Sequence, residues 1–443
     1  MARVPQARRR FAPVLSIAVL LAIAAPAVRA QSLLELYDLA NGYDATYLAA
    51  RALAESAPYR VEQTRALKRP SASLVGGATR DANRPTFGSD YSSNTLSLGV
   101  SGRQPLFNRF NDATIAQAER TLISSVAELD AAQQDLILRL SQAYFDVLAS
   151  QDAVRTTVAN KAAIAEQLAS ARRNFEVGTA TITDTREAQA RFDLATAQEI
   201  QAGNDLLFRR IALDQLVGRP NVEPRPLVQS VAEPALPTDD VDLLVARALE
   251  QHPSVRRATV GFEIAQLETE RARAQALPTV DAIASAGAGR GTVSADITGN
   301  RANASVGVQI NVPLWTGGSI QNRIKETLVL EERARQDLEA TRRIVAQSTR
   351  QAFYTLLSGA AQVRALEAAQ ASSRLALEAT QTGYRVGVRV NVDVLNAQSQ
   401  LYQTERDLAR ARYDVLLNTL RLRQASGALV PTDIVPIDRL LAR

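Results

Sequence analysis

The sequence predicts a mainly α protein with a membrane β-barrel part, built by internal duplication. Three observations predict it. Two stretches of about 66 residues, 110–175 and 319–384, keep a helical apolar spacing with no proline inside. Four segments of about 11–13 residues, 71–81, 93–105, 279–290 and 302–314, alternate polar and apolar side chains. The second half of the chain repeats the first at a spacing of about 209 residues.

Residues 1–30 read as a signal peptide. Arg3, Arg8, Arg9 and Arg10 precede an apolar run from Phe11 to Ala25, and Val28-Arg29-Ala30 is a small-x-small cleavage signal before Gln31. The run is shorter than the ~20 residues that a spanning helix needs. This segment holds five arginines and no acid, so the mature chain balances at 46 basic and 46 acidic side chains. The basic charge of the whole sequence is therefore no argument for nucleic acid as a partner. There is no cysteine and one histidine, His252. Disulfides, thiolate chemistry and a cysteine lipid anchor are excluded, and no metal centre or other cofactor is expected. His252 reads as a surface residue. No convergent set of acid, base and nucleophile emerges, so an enzyme is not expected.

The first repeat covers 31–218. Residues 32–69 show apolar steps of three and four, with Pro58 as the expected kink and Pro70 as the stop. Strands 71–81 and 93–105 follow, separated by a polar loop; Leu96, Leu98 and Val100 alternate with Ser97, Gly99 and Ser101. In the long helix 110–175, the seam Leu122, Val126, Leu129, Gln133, Leu136, Leu140, Ala143 and Val147 is a heptad pattern. At 1.5 Å per residue such a helix is ~100 Å long. A corner containing Gly178 leads to the helix 184–217, with Asp184 as its expected cap. Residues 219–240 carry five prolines and read as a linker at the equator of the rod.

The second repeat covers 241–427. Residues 241–277 are helical with a kink at Pro253, strands 279–290 and 302–314 flank a polar loop at 291–301, and the long helix spans 319–384. In the fourth strand Ala304, Val306, Val308, Ile310 and Val312 alternate with Ser305, Gly307, Gln309 and Asn311. A corner with Gly387 precedes the helix 393–426, and residues 428–443 form an irregular tail. The shorter helices of each copy together match the long one, so they are expected to stack end to end beside it, antiparallel, with strands at one end and corners at the other.

Open sheet edges cannot sit in lipid. Four strands per chain are too few for a barrel, so a membrane role requires several copies; a trimer gives one 12-stranded barrel over a 12-helix tube. Phe107, Phe110 and Trp315 fall at strand ends and suit a membrane-interface girdle.

The repeated Pro105-Leu106-Phe107 and Pro313-Leu314-Trp315, the matching Gln142-Ala143-Tyr144-Phe145 and Gln351-Ala352-Phe353-Tyr354, and the corner Tyr384-x-Val-Gly-x-Arg389-x-x-Val-Asp393 resemble the TolC family of trimeric outer-membrane channel-tunnels. The resemblance covers residues 32–430. It implies a homotrimer in outer-membrane lipid, a periplasmic helical tunnel, a periplasmic adaptor, and an inner-membrane ABC or RND transporter. The function implied is type I protein secretion, drug efflux or both. It also implies a gate in which Tyr384 and Arg389 meet Thr183 and Asp184, and a constriction ring in which Asp393 keeps its acid while Asn396 stands where the family has a second Asp. That ring is expected to hold cations more weakly than one with two acids. The rival reading is a periplasmic coiled-coil scaffold without a pore.

Overall fold

A computed structural model describes residues 30–84, 86, 91–228, 240–294 and 297–442. The expected signal peptide, except Ala30, and residues 229–239 of the expected linker lie outside the described residues. The order is α1 (Leu33–Asn41), α2 (Ala45–Arg65), β1 (Ser71–Asn83), β2 (Tyr91–Phe107), α3 (Arg109–Glu176), α4 (Ile182–Val217), α5 (Val241–Gln251), α6 (Pro253–Ala274), β3 (Thr279–Ser294), β4 (Ile297–Asn311), α7 (Ser319–Arg385), α8 (Asn391–Ala425) and α9 (Ile434–Asp438). This is the expected fold class: long helices, four strands and a duplication. α3 and α7 run unbroken for 68 and 67 residues, so each is ~100 Å long.

α4 lies along α3, and α8 along α7. α2 and α6 pack on α3, and α5 and α6 on α7. The main core sits at the equator, where Leu136, Leu140, Tyr144 and Leu148 of α3 meet Leu33 and Leu36 of α1, Leu213 of α4, and Leu416 and Leu420 of α8. The Tyr144 hydroxyl donates to the Arg225 carbonyl at 3.0 Å, tying the start of the linker to this core.

The first helical segment, expected to be continuous, breaks at Gly42, and Pro58, the expected kink, lies inside α2. Gly42 ends α1, and Asp44 restarts the chain by accepting from the Tyr47 N–H at 2.8 Å. Arg139 grips the same carboxylate with two bonds, of 2.9 and 3.0 Å. That guanidinium holds the Asp44 carboxyl below its ordinary pKa. His252, expected on the surface, is half-buried. It caps α6, its Nδ1 accepting from the Ser254 N–H at 3.1 Å, and burial lowers its pKa. Residues 428–442 are not irregular: α9 buries Ile434 and Ile437, and Leu441 pairs with Leu227. The polar loop expected at 291–301 is absorbed into β3 and β4, whose pairing continues to Ser294 and Ile297.

The duplication has a physical counterpart at the equator. Gly218 ends α4 at φ 74°, and a Cβ there would lie 2.5 Å from the Tyr43 ring in the α1–α2 break. Gly427 follows α8 at the same φ of 74°, and its Cβ would lie 2.6 Å from the His252 backbone in the α5–α6 break. Each glycine lets the end of one shorter helix approach the break in another.

The strands form one antiparallel sheet in the order β1-β2-β3-β4. Directly opposed residues share a face. The register aligns Leu74, Val100, Ala286 and Ala304 in one row, and Ala72, Gly102, Ala284 and Val306 in the next. The rows between these carry Ser73, Ser101, Ser285 and Ser305, with Ser73–Ser101 and Ser285–Ser305 hydroxyl pairs at 2.8 Å each. One face of the sheet is thus mainly aliphatic, with Arg80 and Arg290 at its outer end, and the other is mainly Ser, Gly, Thr, Asn and charge, with Val75 and Ile283 among them. β1 and β4 are both left as open edges. No helix among the described residues is long and apolar enough to cross a membrane.

Candidate functional site: the paired helix corners

Both corners end their long helix in the same way. Gly178 takes φ 83° and Gly387 φ 84°. The Gly178 N–H donates to the Phe175 carbonyl at 3.0 Å and the Thr179 N–H to the Asn174 carbonyl at 2.8 Å. At the second corner the pairs are Gly387 to Tyr384 at 3.1 Å and Val388 to Gly383 at 2.9 Å. This double bond pattern requires a left-handed residue just past the helix end. A Cβ at either glycine would touch nothing within 4 Å, so backbone conformation alone demands glycine there.

The helices that follow start differently. At the first corner Thr181, not Asp184, is the cap. Its hydroxyl accepts from the Asp184 N–H at 3.2 Å, and the Asp184 carboxylate accepts from the Thr181 N–H at 3.0 Å and hydroxyl at 2.7 Å. The Thr-x-x-Asp spacing is a capping box, a signal present in the sequence. At the second corner Val390 replaces the threonine. The Asp393 carboxylate still reaches the Val390 N–H, at 3.5 Å, and lies 3.6 Å from Arg389 Nη1.

The expected gate residues fall into separate contacts within one chain. Tyr384 Oη accepts from Asn174 Nδ2 at 3.2 Å, a bond that joins the two corners. Arg389 pairs with Asp393 and folds over its own helix end, where a Cβ on Gly383 would lie 2.8 Å from its Cγ. Thr183 is exposed, and among the described residues no hydrogen bond or ion pair links Thr183 or Asp184 to Tyr384 or Arg389.

The expected constriction residues also have partners. Asn396 Oδ1 accepts from Arg191 Nη2 at 2.9 Å, and Arg191 lies 4.0 Å from Glu187, the residue that matches Asn396 in the first repeat. Beneath the corners, Ile164, Leu168, Ala171, Ala188, Ala195 and Leu395 form a small core, and buried Asn391 accepts from Gln167. Sequence reading missed Asn174, Arg191 and Gln167. Each meets a partner more than 200 residues away, and no local pattern announces such a contact.

At the other end of the rod, Trp315 is 87% exposed and Phe107 ends β2 on the surface. Phe110 differs: it is half-buried, with the Arg271 guanidinium 5.5 Å from its ring centroid. Arg103 of β2 and Asp281 of β3 pair at 2.7 Å on the polar sheet face. Among the described residues, no cluster of His, Cys, Asp or Glu could hold a metal.

Comparison with known proteins agrees with this architecture. The family described as "Outer membrane efflux protein" matches residues 36–219 and 244–428, the two repeats. The chain is 33% identical over 417 residues to outer membrane protein TolC of Vibrio cholerae, covering 93% of this chain and 94% of that one. It is 31% identical over 367 residues to the alkaline protease secretion protein AprF of Pseudomonas aeruginosa, covering 80% of this chain and 74% of that one. Among solved structures, the Campylobacter jejuni CmeC outer membrane channel aligns with a TM-score of 0.80 at 16% identity, covering 93% of this chain and 90% of that one. The chain belongs to the outer membrane efflux protein family.

Proposed function

We propose that this protein forms one third of a trimeric outer-membrane exit duct for type I protein secretion, drug efflux or both. A periplasmic adaptor and an inner-membrane ABC or RND transporter open it at the helix corners. The observation that carries the reading is the sheet. Its register gathers aliphatic side chains on one face while both edges stay open. Lipid tolerates the apolar face but not the edges, so β1 of one copy pairs with β4 of the next until the ring closes. Three copies give twelve strands. Exposed Leu207, Phe208 and Ile211 of α4, and Ile344, Tyr354 and Leu357 of α7, supply apolar surface for neighbouring copies.

Residues 1–30 act as the export signal in this reading, and no catalytic step is involved. Phe107 and Trp315 serve the membrane interface, whereas Phe110 chiefly supports Arg271. Tyr384, Arg389, Thr183 and Asp184 form the latch, its Arg389 links to Thr183 or Asp184 being made between copies. Asp393 and Asn396 line the constriction.

Two measurements test the duct. The purified protein should run as a heat-sensitive trimer on SDS gels and conduct ions in planar bilayers. A monomer without conductance would favour the scaffold reading.

The Arg191–Asn396 bond changes what an added acid should do. Asn396→Asp places a carboxylate beside a guanidinium that neutralises it, so block by multivalent cations should deepen little. Adding Arg191→Gln frees the charge, and block should then strengthen on the order of tenfold. Conductance titration with a trivalent cation reads both. Equal block in the single and double variants would remove Arg191 from this role.

A further inference from the structure

Two arginines lie on the aliphatic face of the sheet, at the end away from the helices. Arg290 of β3 stands between Leu96 of β2 and Asn300 of β4, and Arg80 of β1 stands opposite Asn94 one row further out. Both are exposed, and neither guanidinium makes a hydrogen bond or ion pair with the described residues. The two carboxylates of the strands, Asp81 and Asp281, occupy the opposite face. Among the described residues, the aliphatic face therefore ends in positive charge with no carboxylate beside it.

The height of these residues matters. From Val280, near the helical end of β3, to Arg290 is ten residues. At ~3.3 Å per residue and a tilt of ~40°, that rise is about 25 Å, the height of the apolar band of an outer-membrane barrel. Arg290 thus falls at the far edge of the band and Arg80 just beyond it. An arginine at that depth lays its methylenes along the acyl region and carries its guanidinium into the headgroup layer. There its planar fork matches the oxygens of a phosphate.

We propose that Arg80 and Arg290 bind the phosphate groups of lipids in the outward-facing leaflet, two arginines per protomer. The proposal rests on the aliphatic face being the lipid face. Arg301 of β4 provides an internal control. It has the same charge at a similar height, but its register places it on the polar face with Gly289.

The test uses the purified full-length protein in nanodiscs of neutral phosphatidylcholine doped with diphosphoryl lipid A. Wild type should retain the phosphorylated lipid through detergent exchange, as read by native mass spectrometry, and its trimer should gain heat resistance. The Arg80→Gln, Arg290→Gln double variant should retain at least about threefold less lipid. It should also lose the gain in heat resistance while keeping wild-type conductance in neutral bilayers. Arg301→Gln should behave as wild type. Inorganic phosphate at equal phosphorus concentration should give no heat resistance. Undiminished retention in the double variant, an equal loss in Arg301→Gln, or equal stabilisation by inorganic phosphate would each overturn the proposal. If wild type itself fails to conduct in neutral bilayers, the lipid-face reading falls first and the proposal with it.

Discussion

Alanine at Gly427 is expected to destabilise the protein by about 3 kcal/mol or more, and alanine at Gly218 by only about 1 kcal/mol. Both glycines have φ 74°, where an L side chain is strained. The difference lies in what the new methyl group meets. At Gly218 it meets the Tyr43 ring, and Tyr43 is 56% exposed, so its side chain can swing into solvent. At Gly427 it meets the backbone of Gln251 and His252, at 2.6 to 3.0 Å, where α5 gives way to α6. That backbone is held by the His252 N–H bond to Ala248 and by the His252 cap on Ser254. It can yield only by pulling two helices apart. Denaturant unfolding of the detergent-solubilised protein, together with the amount of heat-sensitive trimer recovered from membranes, reads both effects. Equal losses at the two positions would mean that strain at positive φ, and not the clash, sets the cost.

The second large effect is expected at the corners. Tyr384→Phe removes the acceptor of the Asn174 bond, and Arg389→Ser removes the partner of Asp393, while the capping box of Thr181 and Asp184 stays intact. Each link is partly exposed and contributes on the order of 1 kcal/mol or less. Three protomers acting together make ~3 kcal/mol, enough to move the ratio of closed to open tips about a hundredfold. Single-channel conductance in planar bilayers should therefore rise in the double variant, with smaller rises in the single ones. Arg389→Ser should also sharpen cation preference, because it leaves the Asp393 carboxylate unbalanced. Conductance and selectivity at wild-type values in all three variants would exclude these residues from the latch. Asp184→Ala is a poorer probe. It cuts the capping box as well, so a change would report a frayed helix as readily as an opened tip.

The elements themselves were legible along the chain. The absence of proline over 110–175 and 319–384 allowed two unbroken helices, because helical hydrogen bonds are local and need only an uninterrupted supply of donors. Alternation in the four strands was legible for the same reason, since side chains change face at every residue. The corner glycines were legible because a Schellman turn needs positive φ at one known position. Local misreadings have local causes. The break at Asn41-Gly42-Tyr43-Asp44 lies in four residues, in which a glycine ends one helix and an aspartate caps the next, whereas Pro58 leaves α2 unbroken. Asp184 looked like the cap because the Thr181 box places the two residues only three apart.

The sequence by itself determined the lengths of the two long helices, the duplication and the aliphatic face of β2, β3 and β4. The tertiary structure decided which side chains meet. Asn174 bonds Tyr384, and Arg191 bonds Asn396, across separations of 210 and 205 residues. Arg389 turns to Asp393 beside it, because Gly383 leaves room for its side chain to fold back. Periodicity fixes a helix face only against its own axis, whereas the azimuth and height of one ~100 Å helix against another depend on the whole packed interface. A displacement of a single residue along such a helix would exchange every polar partner at the corners while leaving each helix intact.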